Sequence, residues 1–170
     1  MLSGALKRLI ALSCALAAFA AGAQTAWAYE SPFAGTGAYI GRTDMGVDAC
    51  LTPGDPVRAV GAGVVIGVIK DWYAGQPLVY FELLDGRDAG RVQYVAEQIT
   101  DIAPPGTILQ RGQPIARYAS KGTAIEYGWS TINGITLAKA TTGYEEGQVT
   151  PAGRSIRRWL NALGANAGPS

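Results

Sequence analysis

The sequence predicts an all-β domain, a Gly-rich antiparallel sandwich or barrel followed by one C-terminal α-helix. Three observations carry this. Apolar runs are short, rich in Val, Ile and Tyr, and interrupted every few positions by one of 23 Gly or 9 Pro. Hydrophobic residues make up 48% and charged residues 16% of the 170 positions, enough for a core and too little charge for a disordered polyelectrolyte. Only one segment, close to the end, has helical periodicity.

Residues 1–28 stand apart from the domain. They contain no acid, and their only charges are Lys7 and Arg8, which precede an apolar run from Leu9 to Ala21. Ala26-Trp27-Ala28 then places small residues at the two positions read by a signal peptidase, so cleavage is expected after Ala28. The apolar run falls short of the ~20 residues that span a bilayer. Membrane attachment is therefore expected only through an uncleaved signal. The mature chain is then secreted, residing in the periplasm or cell wall. Its sole thiol is Cys50, which can form no internal disulfide and is expected to be buried and inert.

Strands follow in order. Val57 to Ile69 reads as one or two strands bent at Gly61, Gly63 and Gly67. Leu78 to Leu84 ends at the Asp85-Gly86 turn signal, and Arg91 to Val95 is its natural partner. Pro104-Pro105-Gly106 breaks the chain before short strands at Thr107 to Leu109 and Pro114 to Tyr118. Thr123 to Trp129 and Ile132 to Leu137 complete seven or eight strands at sandwich spacing.

The helix begins at Thr150-Pro151, an N-cap and a first-turn proline. Ile156, Trp159, Leu160 and Leu163 share one face, and Gly164 sits where a helix stops. Arg154, Arg157 and Arg158 lie on the other side, either as a solvated face or in contact with an acidic wall polymer. The tail from Ala165 is expected to fray. The domain division is thus 1–28 signal, 29–150 β domain, and 151–170 helix and tail.

Charge and composition exclude several functions. Fourteen basic residues face 13 acidic ones, so there is no overall electrostatic footprint for nucleic acid, and none is expected as a partner. The chain has no His. It cannot assemble a Ser-His-Asp triad, a Cys-His dyad or a His-ligated zinc site.

The string Arg42-Thr43-Asp44-Met45-Gly46-Val47-Asp48 resembles the His-x-Gly-x-Asp signature of the lysostaphin-type (duplicated hybrid motif) peptidoglycan endopeptidases. Gly54-Asp55-Pro56-Val57-Arg58-Ala59, then Gly61-Ala62-Gly63-Val64-Val65, is similar to that family's strand pair. Tyr94-Val95-Ala96 stands in the place of its Tyr-x-His segment. Gly106 and Leu109 to Ile115 resemble its Gly-Gln turn, and Ala124-Ile125-Glu126-Tyr127 replaces His-x-His and an aromatic. The order and spacing, over roughly Ile40 to Trp129, carry the resemblance.

The resemblance implies a degenerate member. Its metal-ligand positions read Asp44, Asp48 and Glu126, and its two catalytic-His positions fall at Ala96 and Ala124. Alanine has no side-chain group to move a proton, so no catalytic residue is assigned and no cofactor is expected. The three carboxylates admit two readings. Either they hold a divalent cation at a relic site through oxygen ligands, or Asp44 and Asp48 make turn hydrogen bonds while Glu126 pairs with an Arg or faces solvent. Glu97 is either a general acid or an exposed loop carboxylate. Tyr39, Trp72, Tyr73, Tyr94, Tyr127 and Trp129 lie near the segments that build the family's groove, where flat aromatic faces suit sugar rings and peptide stems, or else pack in the core or at its rim. Trp72 and Tyr73, beside Ala74-Gly75 in an expected loop, are the first candidates for an exposed pair. The expected function is a catalytically inactive, monomeric envelope module that binds peptidoglycan or a cell-wall enzyme. The alternative is a metal-dependent cell-wall hydrolase with a rebuilt carboxylate site.

Overall fold

A computed structural model describes residues 29–119 and 124–169. The expected signal segment, 1–28, lies outside the described residues. Ten strands and two helices follow: β1 Tyr39–Thr43, β2 Val47–Cys50, β3 Pro56–Arg58, β4 Gly63–Tyr73, β5 Gln76–Leu83, β6 Val92–Ala96, β7 Ile99–Thr100, β8 Ile108–Leu109, β9 Pro114–Tyr118, β10 Ile125–Ser130, α1 Leu137–Thr141 and α2 Pro151–Ala162. Seven strands form one sheet in the order β1-β2-β10-β6-β5-β4-β8, and β3-β9-β7 form a second. Every described pairing is antiparallel. The all-β class holds.

Period-two alternation divides the large sheet into two faces. Val47, Ala49, Val79, Phe81, Val95, Ile125, Tyr127 and Trp129 point into the main core, which they share with Val57 and Ile115 of the small sheet. Their neighbours in sequence point the other way. There Leu78, Tyr94 and Ala96 form a smaller cluster with Trp72 and Tyr80 packed against it. The β4–β5 hairpin turns at Ala74 and Gly75, both with positive φ (48° and 78°), the two-residue geometry whose twist matches its flanking strands. Trp72 and Tyr73 therefore stand at the end of a strand rather than in a loop.

Helix α2 starts as its sequence requires. The Thr150 hydroxyl accepts from Gly153 N at 3.0 Å and donates to Asp44 O at 3.0 Å, so one side chain caps the helix and ties it to the β1–β2 turn. Ile156, Trp159 and Leu160 enter the main core, and Trp159 Nε1 donates to Asp88 Oδ2 at 2.7 Å. Burying each such side chain is worth about 1.5–3 kcal/mol.

Four expectations change. β1 and β2 had no clear apolar signature and were not foreseen as strands. Ile132 to Leu137 is a turn that leads into α1, because Thr136 caps that helix and joins the sheet through a single bridge to Ser130. The tail does not fray at Ala165: Ala167 is fully buried, and Asn161 bonds both Ala167 N and Gly168 O. Cys50 ends β2 half-buried rather than in the core. No helix among the described residues is long and apolar enough to cross a membrane.

Candidate functional site

The second face of the large sheet carries a cleft of about 410 Å³. Its floor is set by strand register. Asp48 on β2 pairs with Glu126 on β10, and Glu126 pairs with Ala96 on β6, so three predicted positions lie in one row across three strands. Asp44, in the β1–β2 turn, is buried beside this row. Among the described residues the cleft is also lined by Trp72, Tyr73, Glu97, Ala124, Lys139, Tyr144 and Glu146.

Gly46 is what lets the turn close against the row. A Cβ there would sit 2.6 Å from Glu126 Oε1, 2.7 Å from the Tyr94 hydroxyl and 2.8 Å from Tyr127 O. Beneath it, the fully buried Tyr94 hydroxyl donates to Glu126 Oε1. Gly128 makes room for the Tyr94 ring in the same way.

Arg42 on β1 supplies positive charge to the acids. Its Nη2 lies 3.0 Å from Asp44 Oδ2 and 2.9 Å from Glu146 Oε1, and its Nε lies 3.1 Å from Asp48 Oδ2. Asp44 is further engaged: Oδ1 accepts from Met45 N at 2.6 Å and Oδ2 accepts from the Tyr144 hydroxyl at 2.8 Å. Lys139 stands over the Trp72 ring, Nζ 5.3 Å from its centroid.

Burial and mutual repulsion shape the electrostatics. Glu126 is pushed up to about 8 chiefly by burial, with the charges of Asp44, Asp48 and Glu97 adding to the effect and the Tyr94 hydrogen bond opposing it. Burial also raises Asp48, against the pull of Arg42, and raises Glu97, where Asp48 adds to it. Glu146 is lowered, first by its bond to Arg42.

Asp48 and Glu126 thus share the cleft with Trp72, Tyr73, Ala124 and Glu97, while Ala96 and Asp44 lie buried against it. Tyr94 backs Glu126 and offers no open face. Tyr127 and Trp129 belong to the opposite face of β10, by the alternation that puts Glu126 in the cleft. Tyr127 donates to Gln93 Oε1 at 2.6 Å inside the core, and Trp129 packs against Trp159 and beneath Arg91. Both are packing residues, as buried rings have no surface to give a ligand. Tyr39 is 70% exposed on β1, the outer strand of the large sheet, and is not among the described residues that line the cleft. Glu126 bonds Tyr94, and no Arg pairs with it among the described residues.

The gathered residues do not fit a zinc site. Zinc favours imidazole and thiolate ligands, and here a guanidinium already stands among the carboxylates, bonded to Asp44 and Asp48. Among the described residues no three His, Cys, Asp or Glu side chains come together as metal ligands.

Sequence reasoning gave no role to Arg42, Tyr144, Glu146 or Lys139. Arg42 was not legible, because the bulged β1–β2 pairing that brings it to Asp48 has no local sequence signal. Neither was Tyr144, because its contact with Asp44 spans 100 positions.

No protein-family model matches the chain, and no curated protein matches it. Among solved structures, it is similar to a crystal structure of a candidate peptidase M23 from Pseudomonas aeruginosa, at 17% identity and a TM-score of 0.46. The alignment covers 73% of this chain and 54% of that one. The chain thus spans about half the length of the structure it matches.

Proposed function

We propose that this protein is an exported cell-envelope domain of the lysostaphin-type architecture that binds peptidoglycan, or regulates a cell-wall enzyme, without cutting it. The observation that carries the reading is Arg42, whose guanidinium reaches Asp44, Asp48 and Glu146 at 2.9–3.1 Å. In a hydrolase of this kind the carboxylates would serve a metal with an open position for water. Here the chain's own guanidinium stands among them, one positive charge bonded to three carboxylates, and has no such position to give. Ala96 and Ala124 stand where proton-moving imidazoles would be needed, which agrees with a binding role.

The cleft offers what a stem peptide and its sugar require. Trp72 and Tyr73 provide flat apolar area, Lys139 provides a cation, and Glu97 provides a carboxylate at the opposite charge. Together they suit a ligand bearing both carboxylate and amine groups.

Co-sedimentation of the purified protein with bacterial sacculi tests this. The wild type is expected in the pellet. The Trp72→Ala, Tyr73→Ala double variant is expected to lose most of that retention, whereas Tyr39→Ala, outside the cleft, keeps it. Retention no greater than that of an unrelated β domain would remove the proposal. Stoichiometric bound metal, with sacculus hydrolysis lost in Asp48→Ala, would establish the alternative of a divalent cation at Asp44, Asp48 and Glu126.

A further inference from the structure

A second depression, of about 270 Å³, lies between β1 and the first two turns of α2, on the far side of Arg42 from the cleft. Its lining includes Arg42, Arg154 and Arg157 and no carboxylate among the described residues. Arg42 is neutralised by its three acids. Arg154 and Arg157 are not, since neither has a carboxylate partner among the described residues. Two positive charges therefore share one depression with no carboxylate partner among the described residues, at a helix start that has no acid in its first turn.

Arg157 is fixed in place. Its Nη2 donates to Gly41 O at 2.6 Å and its Nη1 to Pro169 O at 3.1 Å. Its Nε is buried and has no acceptor, and the buried Thr43 hydroxyl in the same wall has no partner either. Only five buried side-chain polar atoms among the described residues are left so, and these two share one small depression. Unmet buried donors are rare in folded proteins, and an absent ion is one of the ordinary explanations.

We propose that this depression binds a phosphate group. The Arg154 and Arg157 guanidinium groups, from successive turns of α2, meet a tetrahedral oxyanion from two directions better than a planar carboxylate, which a single arginine satisfies side-on. Thr43 adds a neutral donor once the oxyanion enters between strand and helix. The site shares Arg42 with the cleft, but Arg154, Arg157 and Thr43, which carry the proposal, are not among the cleft's lining residues.

Titration calorimetry with inorganic phosphate, against chloride at matched ionic strength, tests it. Saturable binding is expected for the wild type, weakened at least tenfold in Arg154→Gln and several-fold in Thr43→Val. Arg154 is exposed and Thr43→Val keeps the side-chain volume, so both variants should fold. Thr43→Val should also melt higher without phosphate, because it removes a buried hydroxyl with no partner. Glycerol phosphate and phosphatidylglycerol vesicles separate the two sources of such a group. Vesicle binding that Arg154→Gln abolishes assigns a lipid headgroup, and glycerol phosphate binding without vesicle binding assigns a soluble or polymeric phosphodiester. No saturable phosphate binding, or binding unchanged in both variants, would overturn the site.

Discussion

Burial keeps the Glu126 carboxyl protonated until about pH 8, against an ordinary value of 4.5, and this has a consequence for stability. A group whose folded pKa is raised contributes stability that is fully present below its unfolded value and is lost as pH climbs through the folded one. The wild type should therefore weaken between about pH 4.5 and 8, by an amount on the order of a few kcal/mol. Glu126→Gln keeps the shape and the neutral form, so its urea midpoint should change much less across that window and exceed the wild type's at pH 9. An identical pH profile for the two proteins would contradict this account of Glu126. The carboxylate itself was legible in the sequence, as the position where the resembled family has an imidazole. Its burial against Tyr94 was not, because that depends on the β6–β10 register.

At the scale of elements, the β1–β2 hairpin, α2 and the segment carrying Tyr144 and Glu146 meet at Asp44. Arg42 is half exposed, so screening trims each of its ion pairs, yet it faces a buried Asp44. Arg42→Gln should cost about 1–3 kcal/mol in chemical denaturation, most of it from the buried carboxylate left with fewer partners. Glu146→Gln should cost no more than about 0.5 kcal/mol, because Glu146 is exposed. Equal effects would show that Arg42 acts as an ordinary surface ion pair. Gly153 gives a sharper test. In a free helix, Gly→Ala would stabilise by about 1 kcal/mol. Here a Cβ would collide with the backbone carbonyl of Asp44, so Gly153→Ala should destabilise by 1–3 kcal/mol or more. Helix α2 was readable from Thr150, Pro151 and its apolar spacing, since those signals are local. β1 was not, because Gly41 and Arg42 interrupt any alternation and its strand character comes from pairing with β2.

The described residues share one principal core. Residues of both sheets, of α2 and of the tail contribute to it, so 151–169 belongs with the β domain in packing terms. The all-β class was legible because Gly and Pro punctuate short Val- and Ile-rich runs throughout. The groove was only half legible. Trp72 and Tyr73 were singled out by their place beside a turn, whereas Tyr127 and Trp129 were left between groove and core, although the position of Glu126 fixes the parity of that strand. On the reading proposed above, the row of acids with Arg42 among them is part of a ligand-holding surface. The most direct test is to incubate the purified protein with dye-labelled sacculi, with and without added zinc, and to follow both pelleted protein and released dye. Protein in the pellet with no dye released under either condition is the predicted result; dye release that Asp48→Ala abolishes would contradict the account.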